Sequence, residues 1–322
     1  MALTSTQKDF VIYDEEFNSA LYERLQVNID VWNAATYGAL VITTDAMKGH
    51  FSKVSMYKAL ASDVVKEYNP ENVTTTAFDT FESFEQVKVK VWRDSNIQKT
   101  VDAFKVLLLN PDATFSQLVG GLTADLITKD AIETLLSSIL GAIENDAAHV
   151  LGDGTTFPAF KDINKAQFVY GDQFSNVACI LTHSNTAQGI VDLNIDEKLD
   201  TVAGFTISTG KWHTLNIPMI IADLDALKDG ANYKMAFLTA GAGVCVNSET
   251  VSAYTDIDLD SRPAMMRFKR EWAYNIGVKG YSYDTTKGNY PTKAVLANKT
   301  SWKKVVSDDK ELPCVVFKAK AV

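Results

Sequence analysis

The stretch MRFKREWAYNIGVKGYSYD, residues 266–284, decides the architecture. Met266, Phe268, Trp272, Tyr274, Ile276 and Val278 alternate with Arg267, Lys269, Glu271, Asn275 and Lys279, which predicts one strand or two abutting strands with one buried face. At about 3.3 Å per residue the run is roughly 40 Å long. Trp272 falls on the buried face, and Arg270 interrupts the same stripe, which predicts an acidic partner for its guanidinium. Upstream, Val87, Val89 and Val91 alternate with Lys88 and Lys90 in Gln86–Trp92, again with one buried and one wet face. This strand and the run ALVITT at 39–44 are expected to form the two legs of a long hairpin. Its tip is the polar, turn-rich NPENVTTTAFD at 69–79.

Between these strands the period changes. Phe115, Leu118, Val119, Leu122, Leu126, Ile127, Leu135, Leu136, Ile139, Leu140 and Ile143 recur at three- and four-residue steps, the signature of a helix. Thr114 with Gln117 reads as its capping box, Gly120 and Gly121 are expected to weaken its first turns, and LGDG at 151–154 closes the segment. Such a helix is about 45 Å long at 1.5 Å per residue, which suits a spine more than a packing unit. Residues 166–261 alternate strand-like runs (QFVY, NVACIL, IPMIIAD, YKMAFLT, GVCV) with helix candidates at 184–194 and 222–228, an α/β mixture. Residues 1–35 read as an extended arm holding one short amphipathic helix near 14–28.

Composition excludes several classes. The chain has 322 residues, 46% of them apolar and 22% charged, enough for at least one large core. No apolar run approaches the roughly 18 residues that span a bilayer, so no membrane partner is expected. The opening MALTSTQKDFVIYDEEF lacks a basic segment followed by an apolar one, and no secretory signal is expected. Thirty-one basic against 40 acidic residues give a net charge of −9, which argues against a dedicated nucleic-acid binder. Cys179, Cys245 and Cys314 sit apart in apolar runs and read as buried thiols.

Chemistry-bearing motifs fail on inspection. Gly204-Phe-Thr-Ile-Ser-Thr-Gly210-Lys211 has five residues between its glycines where a phosphate loop needs four, and Trp212 stands where a hydroxyl would hold magnesium. The stretch reads as a turn before a strand. Gly241-Ala-Gly243 has Val246 in place of the third glycine of a dinucleotide fingerprint. Asp256, Asp258 and Asp260 open a calcium-loop spacing, but Arg267 replaces its bidentate glutamate, and Asp192, Asn194 and Asp196 fail alike. His50, His149, His183 and His213 have no Cys or His at metal-ligand spacing, and His183-Ser184 lacks a nucleophile elbow. No catalytic residue, cofactor or metal site is therefore assigned.

A chain with an arm, a long hairpin, a long helix, an α/β block and a return strand, but no chemistry, reads as a building block. At this point it resembles the major capsid proteins of tailed bacteriophages. Val31-Trp32-Asn33-Ala34-Ala35, Gly38-Ala39-Leu40-Val41 and Lys48-Gly49-His50-Phe51 are similar to that family's opening and the glycine turn after it. VACILTHS at 177–184, Gly204 to Asp223 and Tyr233 to Gly243 resemble successive passages of its axial domain. The sharpest likeness is Lys269-Arg270-Glu271, Tyr274 to Asp284 and Asn289-Tyr290-Pro291-Thr292 in the closing strands; Trp32 and Tyr283 depart from the usual Phe and Trp.

The resemblance implies an α+β, HK97-like capsid fold. Its parts would be an N-terminal arm at 1–38, an extended E-loop hairpin at 39–92, a peripheral domain at 93–165 and 262–322 with its spine helix near 112–148, and an axial α/β domain at 166–261. It also implies a homo-oligomeric shell of hexamers and pentamers around double-stranded DNA held without specific binding. Implied partners are a separate scaffolding protein, a portal protein and, as an open option, a decoration protein. Only 32 residues precede Asn33, too few for a built-in scaffolding domain. Trp32, Lys66, Glu67, Lys88, Lys90, Arg93 and Asp94 become candidate subunit-contact residues, against the plainer reading of Lys88, Lys90, Arg93 and Asp94 as an ordinary solvated strand. Some members join a Lys to an Asn between subunits; Lys66, Asn289 and Asn298 could not be matched to such a pair. The competing expectations are a bacterial nanocompartment shell of the same fold and a cytosolic α/β enzyme.

Overall fold

The computed structural model describes residues 14–44, 49–57, 83–100, 113–156, 158, 160–188, 194–202, 205–211, 217–258 and 265–320. The elements run α1 (Asp14–Ala35), β1 (Leu40–Thr44), β2 (Phe51–Tyr57), β3 (Ser83–Thr100), α2 (Ala113–Ile143), β4 (Val150–Leu151), α3 (Phe160–Gln167), β5 (Val177–Thr182) and α4 (Ser184–Gln188). Then follow β6 (Asn194–Val202), β7 (Phe205–Lys211), β8 (Pro218–Ile221), β9 (Lys228–Asp229), β10 (Asn232–Thr239), β11 (Gly243–Asp258), β12 (Met265–Val278), β13 (Tyr281–Tyr283), α5 (Lys293–Leu296), β14 (Trp302–Lys304) and β15 (Cys314–Ala319). The strands form a five-stranded sheet, β1-β11-β12-β3-β2, and a larger one, β4-β15-β10-β5-β8-β7-β6, with β13 and β14 paired separately.

The alternating stretch at 266–278 forms a single strand, β12, at the centre of the first sheet. Trp272, Tyr274, Ile276 and Val278 are buried, as the period of two requires. Arg270 is also buried, and its guanidinium donates to the hydroxyls of Thr123 and, at 2.9 Å, Ser95. The expected hairpin of ALVITT with Gln86–Trp92 does not form. β1 instead runs parallel to β11, Leu40 opposite Gly243 through Thr44 opposite Asn247. The partner of β3 is β2, from Phe51 opposite Val89 to Tyr57 opposite Ser83. A parallel pairing between segments 200 residues apart leaves no local turn signal, so the sequence could not announce it.

The long helix is present, and it is more than a spine. Every residue from Ala131 to Ile143 is buried. This half of α2 lies between the two sheets, so that one core joins Val89, Tyr274 and Ile276 on one side with Leu181, Leu238 and Val316 on the other. Two of its hydroxyls are satisfied within the helix: Ser137 and Ser138 donate to the carbonyls of Glu133 and Thr134, each at 2.7 Å. Thr114 lies inside α2 and does not precede it. Gly120 is where α1 crosses, and a Cβ there would come within 2.6 Å of the Phe17 carbonyl oxygen.

α1 is longer than the helix expected near 14–28 and is docked on its own subunit. Phe17, Leu21, Leu25, Ile29 and Trp32 form a continuous buried stripe against the core. Asn28 and Arg24 donate to Asp125 of α2 at 2.8 and 3.2 Å. The helix ends where Tyr37 and Gly38 take positive φ angles of 52° and 71°.

In the second sheet the two faces divide cleanly. Cys179, Leu181, Ala236, Leu238, Cys314 and Val316 face α2, while Ile180, Met235, Phe237, Val315 and Phe317 pack with Ile163 and Ala166 of α3. QFVY, expected as a strand, ends α3 and begins a 3-10 segment, Phe168–Asn176. Of the helix expected at 184–194, Ser184–Gln188 is helical, Asn194 opens β6 and 189–193 lie outside the described residues; 222–228 holds a single 3-10 turn, Asp225–Leu227. Phe205–Lys211, expected as a turn, is strand β7. All three cysteines are buried free thiols, and burial pushes the Cys179 thiol up to about 12.

Two stability outcomes follow. Trp272→Ala should cost about 3–5 kcal/mol in urea titration, as for other buried aromatics, whereas a loss under about 1 kcal/mol would place the ring at the surface. Gly141 faces the backbone of Ala297, where a Cβ would sit 2.4 Å from the carbonyl oxygen, while a Cβ at Gly121 meets open space. Gly141→Ala should therefore destabilise by about 1–3 kcal/mol and Gly121→Ala stabilise by about 0.5–1 kcal/mol. Equal effects in thermal melts would contradict the packing described.

Candidate functional site

The candidate contact residues gather on β3, which pairs with β2 from Ser83 to Val89 and with β12 from Val89 to Thr100. The base of this hairpin is fixed to the subunit by two polar contacts. Gln86 Nε2 donates to the Val278 carbonyl at 2.8 Å, and the Val87 N–H donates to Ser282 Oγ at 3.0 Å. Phe51 stacks on Tyr283 with ring centroids 6.1 Å apart, and His50 meets Tyr290 edge-on at 5.0 Å. Val87, Val89 and Val91 point into the core, so the opposite side of β3 carries Lys88, Lys90, Trp92 and Asp94.

That opposite side is less wet than the alternation predicts. Lys90 is only 3% exposed, with its Nζ 5.0 Å from the centroid of the Trp92 ring. Lys88 is half-buried and lays its stem against Gly277, where a Cβ would meet Lys88 Cγ at 2.9 Å. Arg93 lies on the helix side: its Nε donates to Asp130 of α2 at 2.9 Å, its Nη2 reaches Thr134 at 3.4 Å, and its guanidinium lies 5.7 Å from the Tyr274 ring centroid. Asp94 is exposed and accepts a hydrogen bond from Asn96 at 2.9 Å. Next to it on β12, Lys269 pairs with Glu271, whose carboxylate raises the lysine pKa.

Four of the seven candidates, Lys88, Lys90, Arg93 and Asp94, are thus brought together on one strand, and their roles separate. Trp32 is completely buried in the subunit core, because the apolar stripe of α1 runs on through it, and this removes it from any exposed rim. Lys90 is likewise enclosed, and Arg93 braces β3 to α2 within the subunit. Lys66 and Glu67 lie outside the described residues, as do Asp192 and Asp260. Among the described members of the set, Asp94 is the exposed charge.

Sequence reasoning missed a row on α2. Leu118, Leu122 and Leu126 are 55%, 54% and 50% exposed, although their spacing places them in the same periodic pattern as the core leucines. The signal was available: successive four-residue steps set these three on one stripe, while Ala124, Ile127 and Ala131 mark another. Trp92 and Tyr254, 44% and 57% exposed, add aromatic surface on the first sheet. Half-exposed large side chains in a row offer apolar contact area.

The comparisons agree with this reading. Residues 9–316 match the family model described as Gp13-like, Major capsid protein 13-like. No curated protein matches. Among solved structures, the fold is similar to one from Microbacterium phage Oxtober96, with a TM-score of 0.53 and 11% identity over 88% of this chain and 90% of that one. It is also similar to the capsid of a native GTA particle, with a TM-score of 0.53 and 13% identity over 87% and 88% of the two chains. The head structure of Helicobacter pylori bacteriophage KHP40 gives a TM-score of 0.50 and 12% identity over 90% and 89%. A match spanning nearly the whole sequence, on a fold shared with phage heads, identifies the chain as a structural subunit: it belongs to the Gp13-like family of major capsid proteins.

Proposed function

We propose that copies of this chain form the hexamers and pentamers of an icosahedral phage head that encloses double-stranded DNA, with no catalytic role. The observation that carries the reading is the family match across residues 9–316. The surface supports it. The β2–β3 hairpin, the leucine row of α2 and exposed Trp92 and Tyr254 supply area that a neighbouring copy would cover. Lys66, Glu67, Lys88 and Asp94 serve as rim contacts in this reading. In this reading residues 1–38 are the arm and 39–92 the E-loop; α1 and β1 are docked on their own subunit, and the β2–β3 part of the E-loop laps onto a neighbouring peripheral domain built from 93–165 and 262–322. Residues 166–261, as the axial domain, surround the capsomer centre.

Identical subunits that occupy both five-fold and six-fold positions need something outside the subunit to set curvature. In this proposal a separate scaffolding protein does so in the host cytoplasm, and a portal protein occupies one vertex. The net charge of −9 keeps DNA association weak, since an acidic lining repels phosphate.

Expression of the full chain alone and beside the candidate scaffold, followed by negative-stain microscopy, tests this reading. Regular closed shells are expected only with the scaffold. Uniform shells from the chain alone would overturn the scaffold requirement and favour a nanocompartment, and a stable monomer under both conditions would overturn the shell reading. A sharper variant is Leu122→Glu. The side chain is exposed, so folding stability should change by no more than about 0.5 kcal/mol. Shell yield should nevertheless collapse, and a normal yield would take the leucine row out of the assembly surface.

A further inference from the structure

We propose that the joint between the long helix and the second sheet is an acid-operated catch, with His149 as its sensing group. His149 ends the single 3-10 turn, Ala147–His149, that carries the chain from α2 into β4. It is 1% exposed, and neither ring nitrogen has a hydrogen-bond partner. This inference concerns the subunit itself and stands independently of how copies assemble.

The groups around the ring come from several elements. Asp146, in its own turn, holds Oδ1 3.7 Å from Nδ1, too far for a hydrogen bond. Lys304 of β14 sits with Nζ 2.6 Å from Asp146 Oδ2 and also pairs with Asp309 from the 3-10 turn Asp309–Glu311. Tyr170 meets the imidazole edge-on, with centroids 5.7 Å apart. The buried Tyr281 hydroxyl and Cys314 thiol border the same group of charges. With a neutral ring, two carboxylates face one ammonium.

A proton on the ring would balance those charges, but it would also create a second N–H donor in a place that serves neither. An unpaired buried donor is costly, so the turn must move for the imidazolium to reach Asp146 or water. Burial is the largest influence on the group and lowers its proton affinity; Asp146 and Asp309 oppose it only in part. The closed joint therefore resists a proton that the open joint accepts at an ordinary histidine pKa of about 6.5. The stability of the closed form is fully present above about pH 6.5 and falls as the pH drops below it. Asp146, whose pKa is lowered with Lys304 and the turn's own N–H as the stabilising contacts, titrates far below that window and does not produce the step.

The consequence is local. β4 is only two residues long, Val150 opposite Val316 and Leu151 opposite Phe317, and it closes one edge of the second sheet. Releasing the turn frees β4 and exposes the edge of β15.

Amide hydrogen exchange of the full chain between pH 7.5 and 5.5, corrected for intrinsic rates, tests the proposal at Val150 and Leu151. Their opening should increase by up to about tenfold per pH unit below about 6.5. The rise should vanish in His149→Gln and persist in His183→Gln, which removes the other buried histidine among the described residues. Exchange that ignores pH in the wild-type chain, or a rise retained in His149→Gln, would overturn it. Should His149→Gln not fold, the ring resonances of the wild-type chain decide. Titration of His149 in step with the rise supports the catch, and titration at the ordinary value without any change in exchange refutes it.

Discussion

The contact between α2 and the inner face of β12 and β3 is the constraint on which the rest of the subunit depends. Its apolar part is Val89, Val91, Trp272, Tyr274 and Ile276 against Ile127, Ala131 and Leu135. Its polar part is a ladder on one side of the helix: Thr123 to Arg270, Asp130 to Arg93 and to the Tyr274 hydroxyl, and Thr134 to Tyr274 at 3.1 Å. Apolar burial supplies most of the attraction, and the hydrogen bonds fix register, because a helix shifted by one residue would leave buried donors unpaired. With α2 held there, its other side becomes the wall against which the second sheet and α1 pack.

This arrangement accounts for what is left outside. Along the N-terminal half of α2, Leu118, Leu122 and Leu126 stay half-exposed among the described residues even though α1 covers the adjacent side. In the proposed shell, identical copies would be the neighbours that cover this row. Internal bracing takes up Arg93 and Lys90, so the hairpin strand is rigid at its base before any neighbour arrives.

How much of this was legible depended on whether the information was local. The long helix, β12, β5, β10 and the three buried thiols carry their own periodicity or apolar setting and were read directly. The hairpin partner was misread because β1 pairs with a strand 200 residues away, and α1 was cut short because its stripe passes through the polar Asn28. Among the contact candidates, charge at Asp94 was legible, but the burial of Trp32 and Lys90 was not. Both are set by what packs over them, which one strand's or helix's pattern does not contain. The leucine row was missed for the opposite reason: a leucine on a helix reads as core until its exposure in the fold is known.

Native-state hydrogen exchange on the unassembled subunit tests the central role of the α2 contact most directly. If α2 organises the fold, amides of Ala131–Ile143 and of Trp272–Val278 should exchange last and together, through global unfolding. If they exchange well before those of Val177–Thr182 in the second sheet, the helix is a late addition to an independently stable sheet, and the account is wrong.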